Sequence, residues 1–154
     1  MADAFSQIHI HLVLVVQGRS NLISPHWEDE LHKYIAGIIQ RQGQKLLAIN
    51  GVADHIHILI DMKPSCRLSD LVREIKTSSN EFINAKGFIK TRFAWQAGYG
   101  AFSYSHSALD NVIRYIKNQK EHHKKVSAED EFKTLLKKFE IDFKEEYLFN
   151  WIAK

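Results

Sequence analysis

Ala53–Ile60 reads Ala-Asp-His-Ile-His-Ile-Leu-Ile, and this stretch decides the fold. In a β-strand, residues two apart share a face. His55 and His57 then stand side by side on one face while Ile56, Ile58 and Ile60 supply the apolar face of a buried strand. Asn50-Gly51 upstream is a hairpin signal, with a loop that extends as far as Asp54, so Lys45–Asn50 and His55–Met62 are paired strands.

Outward from this hairpin the pattern repeats. Gln7–Val16 is strand-like. Pro25–Gln42 carries Leu31, Tyr34, Ile35, Ile38 and Ile39 at helical spacing, with Ser24 as its expected N-cap and Gly43 at its end. Leu68, Leu71, Val72, Ile75, Phe82 and Ile83 mark a second amphipathic helix that stops near Gly87. Phe93–Tyr104 is aromatic and glycine-containing, a strand with an irregular middle. Ser107 to about Lys125 and Ala128–Phe139 are further helices, and the apolar tail Tyr147–Ile152 is expected to pack on something. The order β-α-β-β-α-β predicts an α+β, ferredoxin-like split βαβ fold. It has a four- to five-stranded antiparallel sheet with helices on one face, and the first and third strands are central neighbours. We expect one domain over residues 1–154: a ferredoxin-like core to residue 105, then the C-terminal helices and tail.

A single cysteine, Cys66, excludes an internal disulfide and a thiolate zinc site. The N-terminus lacks the basic region of a secretory signal, and no apolar run approaches the ~20 residues that span a bilayer. A cytoplasmic protein with no membrane partner is expected. Net charge is +3 but unevenly placed: residues 1–62 carry −2, residues 63–125 carry +7 and residues 126–154 carry −2. A basic middle favours a polyanionic partner, though a solvated lysine-rich helix face produces the same count.

Two histidine pairs compete as metal ligands. His9-Ile10-His11 also lies on a strand, and the topology puts it beside His55-Ile56-His57. Asp54 favours the second pair, because a neighbouring carboxylate orients an imidazole ligand. On the third helix Asn111, Tyr115, Gln119 and His122 fall on one stripe. Tyr115 at that position is either a half-buried aromatic at the core edge or a nucleophile. Two imidazoles and the Gln119 carboxamide leave coordination positions open, which suits Mg²⁺ or Mn²⁺ with phosphate oxygens. A phenol attacking a phosphate beside such an ion yields an ester that conserves the linkage, which suits strand transfer better than hydrolysis.

These residues resemble the single-tyrosine HUH transposases of small bacterial insertion sequences, including the REP-associated tyrosine transposases. The resemblance rests on His55-Ile56-His57, on Tyr115 and Gln119 four apart in Tyr115–His123 (YIKNQKEHH), on Phe93–Ser103 (FAWQAGYGAFS), and on the opening strand His9–Val13 (HIHLV). It spans residues 7 to 140; Val16–Arg19 departs from it in being less basic. The resemblance implies a homodimer whose active sites are shared between subunits. It also implies cleavage of single-stranded DNA beside hairpins through a 5′-phosphotyrosine on Tyr115, and a divalent metal held by His55, His57 and Gln119. Arg67, Arg73, Lys76, Lys117, Lys120 and Lys124 are the residues expected to meet DNA phosphates, with Trp95, Tyr99, Phe102 and Tyr104 as candidate stacking platforms. The alternatives are a non-catalytic ferredoxin-like nucleic-acid binder, in effect a decayed transposase, and a metal-dependent phosphodiesterase that uses water.

Overall fold

A computed structural model of the chain describes residues 5–144. Four strands, β1 (His9–Val15), β2 (Lys45–Val52), β3 (His55–Asp61) and β4 (Gly100–Tyr104), form one antiparallel sheet in the order β2-β3-β1-β4. This is the ferredoxin-like arrangement, with β1 and β3 central. The tail Tyr147–Ile152, expected to pack, lies outside the described residues.

Alternation along the central strands sends opposite sets to opposite faces. Leu12, Leu14, Ile56, Ile58 and Ile60 bury against α1 (Glu28–Arg41) and α2 (Leu68–Lys86), which contribute Leu31, Ile35, Ile38, Leu71, Val72 and Ile75. Each such side chain contributes roughly 1.5–3 kcal/mol when fully buried. The other face carries His9, His11, Val13 and Val15 from β1, and His55, His57 and Leu59 from β3. It is covered by α3 (Leu109–Lys117), α4 (Gln119–His122) and α5 (Ala128–Lys138). The imidazoles are therefore enclosed between sheet and C-terminal helices.

Four local expectations are corrected. First, α1 begins at Glu28, three residues after Pro25: the Ser24 hydroxyl accepts from the His26 amide in a preceding turn, and no side chain caps the helix itself. Second, β2 runs to Val52, so Asn50-Gly51 lies inside the strand and the turn falls at Ala53-Asp54. Gly51 is required by close approach: a Cβ there would overlap the His55 carbonyl oxygen and lie 2.8 Å from Ile56 Cα. Third, only Gly100–Tyr104 of the aromatic segment is a strand, Trp95 making an isolated bridge to Val16. Fourth, the helix expected over 107–125 breaks at Asn118 into α3 and α4.

A bulge in β2 sets which of its side chains reach the C-terminal helices. Leu46 pairs with Ile60 and Ala48 with Leu59, leaving Leu47 as an extra residue. Side chains switch faces at a bulge. Leu46 and Ile49 thus both meet the α1/α2 core, while Asn50 turns to the tyrosine helix. Its Nδ2 donates to the Ile116 and Lys117 carbonyls at 3.1 and 3.0 Å, fixing the end of α3 to the sheet.

Candidate metal and nucleophile centre

The centre forms where β3, the α3–α4 junction and α5 meet, around the carboxylate of Glu131. Its Oε1 lies 2.9 Å from His57 Nε2, 3.1 Å from His123 Nε2 and 3.3 Å from His55 Nε2. Its Oε2 accepts the Tyr115 hydroxyl and the Gln119 Nε2, the latter at 3.1 Å, and lies 3.2 Å from His122 Nε2. Glu131 is 5% exposed, and His55, His57 and Gln119 are at most 1% exposed. One donor atom from each of His55, His57, His123 and Glu131 fits within 4.8 Å of the others, a geometry able to hold one ion.

A further layer orients the imidazoles. His55 Nδ1 is 2.7 Å from Asp54 Oδ1, as the preceding carboxylate suggested. His57 Nδ1 is 2.7 Å from His11 Nε2, and His123 Nδ1 is 2.6 Å from the Val126 carbonyl oxygen. The two histidine pairs are thus not simple rivals. His11 sits behind His57, whereas His9 lies farther along the strand against Asp61, at 2.7 Å. His9 therefore does have a carboxylate partner, supplied by its cross-strand neighbour and invisible in the local sequence.

Electrostatics follow from burial and this carboxylate. Burial opposes the His55 imidazolium, but hydrogen bonds to Asp54 and Glu131 outweigh it and raise the group to about 9. For His57 burial wins over Glu131, and the group falls to about 4; His11, buried beside His57, falls to about 3. Burial works against the Glu131 carboxylate, yet hydrogen bonds from His123, His55 and His57 hold it far below the usual range. Burial and the Glu131 charge push the Tyr115 phenol well above its ordinary value, so the side chain is a neutral donor in the metal-free protein.

The structure brings Tyr115, Gln119, His55 and His57 together within one chain. Gln119 Oε1 is buried with no hydrogen-bond partner among the described residues, so a carboxamide oxygen is available to a cation. Asn111 lies outside the centre, accepting from Arg114. Two clefts reach the centre. One, of about 710 Å³, is lined by Tyr104, Asn111, Tyr115, His122 and Glu131; the other, of about 530 Å³, by Arg19, Asp54, Lys120, His123 and Lys124.

The expected phosphate-binding residues divide. Lys120 and Lys124 border the second cleft and Lys117 a surface hollow beside Tyr115. Lys120 also pairs with Glu28 at 3.0 Å, and Lys124 with Glu121 at 3.0 Å. Arg67, just before α2, and Arg73 and Lys76, on it, lie across the sheet from Tyr115. Arg67 and Arg73 pair with Asp70. Lys76, its charge disfavoured by burial, donates to the Gln96 and Gly98 carbonyls at 2.8 and 2.5 Å. Of the candidate stacking aromatics, Trp95 and Phe102 are core residues and Tyr104 packs on Phe139, whereas Tyr99 is exposed with Lys76 over its ring.

Glu131 and His123 were not anticipated. Glu131 had a signal. It falls in the apolar stripe Ala128, Phe132, Leu135 and Leu136 of α5, where a carboxylate without partners would be costly. His123 is one position round from the expected stripe and reaches the centre through the geometry after the break at Asn118.

An antiparallel sheet in this strand order thus carries a histidine pair on a central strand and meets a tyrosine from a covering helix. Residues 4–119 match the family described as transposase IS200-like, and the chain belongs to that family. It is therefore a transposase, an enzyme acting on DNA. It is 22% identical over 118 residues to the ISDra2 transposase TnpA of Deinococcus radiodurans, covering 73% of this chain and 84% of that protein. Its fold is similar to that of a crystallised candidate transposase from Deinococcus radiodurans R1 (TM-score 0.64, 21% identity, 77% of this chain and 95% of the other). It is also similar to a REP-associated tyrosine transposase bound to a REP hairpin (TM-score 0.60, 17% identity, 82% and 76%). Among the described residues no helix is long and apolar enough to cross a membrane.

Proposed function

We propose that this transposase cuts and rejoins single-stranded DNA beside hairpins, with Tyr115 as nucleophile and a divalent ion, Mg²⁺ or Mn²⁺, held by His55, His57 and Gln119. The observation that carries this reading is convergence. The only side-chain hydroxyl contacting Glu131 among the described residues is that of Tyr115, and the same carboxylate gathers the imidazoles. The likeness in fold to a transposase bound to a REP hairpin supports a hairpin as substrate.

In the proposed reaction the Tyr115 oxygen, losing its proton, attacks phosphorus. The bond from phosphorus to the 3′-oxygen breaks, and that oxygen leaves with the electron pair and takes up a proton. The products are a 5′-phosphate esterified to Tyr115 and a free 3′-hydroxyl, and reversal onto another 3′-hydroxyl rejoins the strand. The donor set fits a divalent ion, since buried imidazole nitrogens converge within one cluster and the buried Gln119, whose Nε2 reaches Glu131, has an oxygen without a hydrogen-bond partner. A bound ion would act as a Lewis acid on the phosphate. His55 and His57 are held for this by Asp54 and His11. Lys117, Lys120 and Lys124 border the approach and would meet the backbone. Arg67, Arg73 and Lys76 belong to a second, more distant contact surface if the strand wraps the sheet edge.

Incubation with hairpin-bearing single-stranded DNA and Mg²⁺ or Mn²⁺ tests this. A covalent adduct on a denaturing gel, absent in Tyr115→Phe, is expected. Binding without cleavage would favour a non-catalytic module, and cleavage that survives Tyr115→Phe would favour hydrolysis by water and sink the mechanism. The family resemblance supports a homodimer. The reach of Tyr115 into the centre of its own chain supports assembly in cis. Mixing His57→Ala with Tyr115→Phe should then restore no adduct, whereas shared sites would restore it.

A further inference from the structure

The proton positions at the centre are constrained by its outer partners. A carbonyl oxygen only accepts, so His123 Nδ1 carries hydrogen toward Val126. Asp54 likewise places a proton on His55 Nδ1. With Nδ1 of each ring so engaged, Nε2 is the nitrogen left to face an ion, and both lie close to Glu131 Oε1, at 3.3 and 3.1 Å. His57 Nε2 joins them at 2.9 Å, and its own Nδ1 has His11 as partner. Without an ion these nitrogens bond the carboxylate through Nε2–H, and a divalent ion bound among them would take the place of those protons. The spacing also has a meaning: donor atoms about 2.1 Å from a shared ion sit about 3.0 Å apart when adjacent in an octahedron. The Asp54 carboxylate and the Val126 carbonyl are of the type that orients a histidine metal ligand, and His57 is held instead by the His11 imidazole.

We propose that His123 and Glu131 are themselves ligands of the divalent ion, joining His55 and His57. Glu131 is a bridging carboxylate: Oε1 binds the ion and Oε2 holds the Tyr115 hydroxyl. This deepens the proposed function, since ion and nucleophile are then set relative to each other by one carboxylate on α5. Gln119, donating to Glu131 Oε2 at 3.1 Å, positions that carboxylate. The metal centre would thereby extend from the hairpin strand to a helix outside the residues 4–119 that match the family.

The test is Mn²⁺ binding to the full chain without DNA. Calorimetry and the loss of the free-ion paramagnetic resonance signal give affinity, and nitrogen modulation of the bound signal counts imidazoles. Wild type should show three coordinated imidazoles and His123→Ala two. Glu131→Gln, which keeps shape and removes charge, should weaken binding at least about tenfold. Circular dichroism establishes that each variant is folded, and Glu131→Asp should recover part of the affinity. Wild-type Mn²⁺ affinity in both Glu131→Gln and His123→Ala, with loss confined to His55→Ala and His57→Ala, would overturn the proposal. So would wild type showing two imidazoles. Tyr115→Phe keeps every proposed ligand and should retain the three-imidazole signal. Failure of wild type to form the DNA adduct while still binding Mn²⁺ through these residues would reject the strand-transfer reading and leave the ligand set standing.

Discussion

Asn50→Ala should loosen the tyrosine helix while leaving every proposed ligand in place. The amide Nδ2 donates to two carbonyls at the end of α3, Ile116 at 3.1 Å and Lys117 at 3.0 Å, and Oδ1 accepts from Lys120 at 3.0 Å. Each lost hydrogen bond costs roughly 0.5–1.5 kcal/mol net, so the two carbonyl contacts together account for about 1–3 kcal/mol. For a domain of this size that lowers Tm by about 3–10 °C. The functional effect should be larger than the stability effect suggests, because Tyr115 lies one residue before the first of those carbonyls. A displacement of about 1 Å at a nucleophile costs on the order of 100-fold in rate. The assays are thermal denaturation followed by circular dichroism, and the single-turnover rate of adduct formation on a hairpin oligonucleotide, with Mn²⁺ affinity as control. The expected result is a lower Tm, slower adduct formation and Mn²⁺ affinity near wild type. An unchanged Tm together with an unchanged adduct rate would refute the claim that this strand residue holds the tyrosine helix.

Three further predictions come from other parts of the centre. Gly51→Ala forces a Cβ against the His55 carbonyl, and overpacking of this kind costs roughly 1–3 kcal/mol; chemical denaturation should show the loss, accompanied by weaker Mn²⁺ binding as His55 shifts. Ser127→Ala removes the oxygen that accepts from the Asp130 amide at the start of α5, a loss of about 1 kcal/mol, and should weaken Mn²⁺ binding because Glu131 lies in that first turn. Stability of the metal-free protein should fall on both sides of neutrality. His55 is raised from 6.5 to about 9, so its contribution is complete below about pH 6.5 and is lost as pH rises through about 9. His57 and His11 are lowered to about 4 and 3, so theirs is complete above about pH 6.5 and is lost as pH falls toward those values. Melting curves across this range measure it, and a flat alkaline limb would contradict the His55 assignment.

Much of the fold is legible along the chain because its signals are local. The apolar face Ile56, Ile58, Ile60 identifies β3, the spacing of Leu31, Ile35 and Ile38 identifies α1, and Gly87, with φ of +67°, ends α2 where a left-handed residue is needed. Boundaries were less legible. Asn50-Gly51 has the composition of a tight turn, yet Gly51 serves close packing of β2 on β3 and the chain turns two residues later. The bulge at Leu47 leaves no mark in composition, although it decides which face Asn50 occupies. At Phe93–Tyr104, aromatic content suggested a longer strand; the Asn84 side chain instead binds both the Phe93 amide and its carbonyl, holding that segment on α2.

The His55-Ile56-His57 pair, Tyr115 and Gln119 could be named from sequence because the ordered set resembles a transposase family; the spacings alone, two on a strand and four on a helix, also fit residues with no functional role. The two-residue spacing places both imidazoles on one face of β3, while Tyr115 and Gln119 stay together across the break at Asn118, both reaching Glu131 Oε2. Contacts between elements have no such period. His11 meets His57 across 46 positions, and Glu131 meets His57 across 74, only because antiparallel pairing sets the register and α5 folds back over the sheet. The sequence by itself determined the strand-borne histidines and the helix-borne tyrosine. Tertiary structure alone decided that one buried carboxylate would stand between them, since only burial makes an isolated charge costly enough to require that ring of partners.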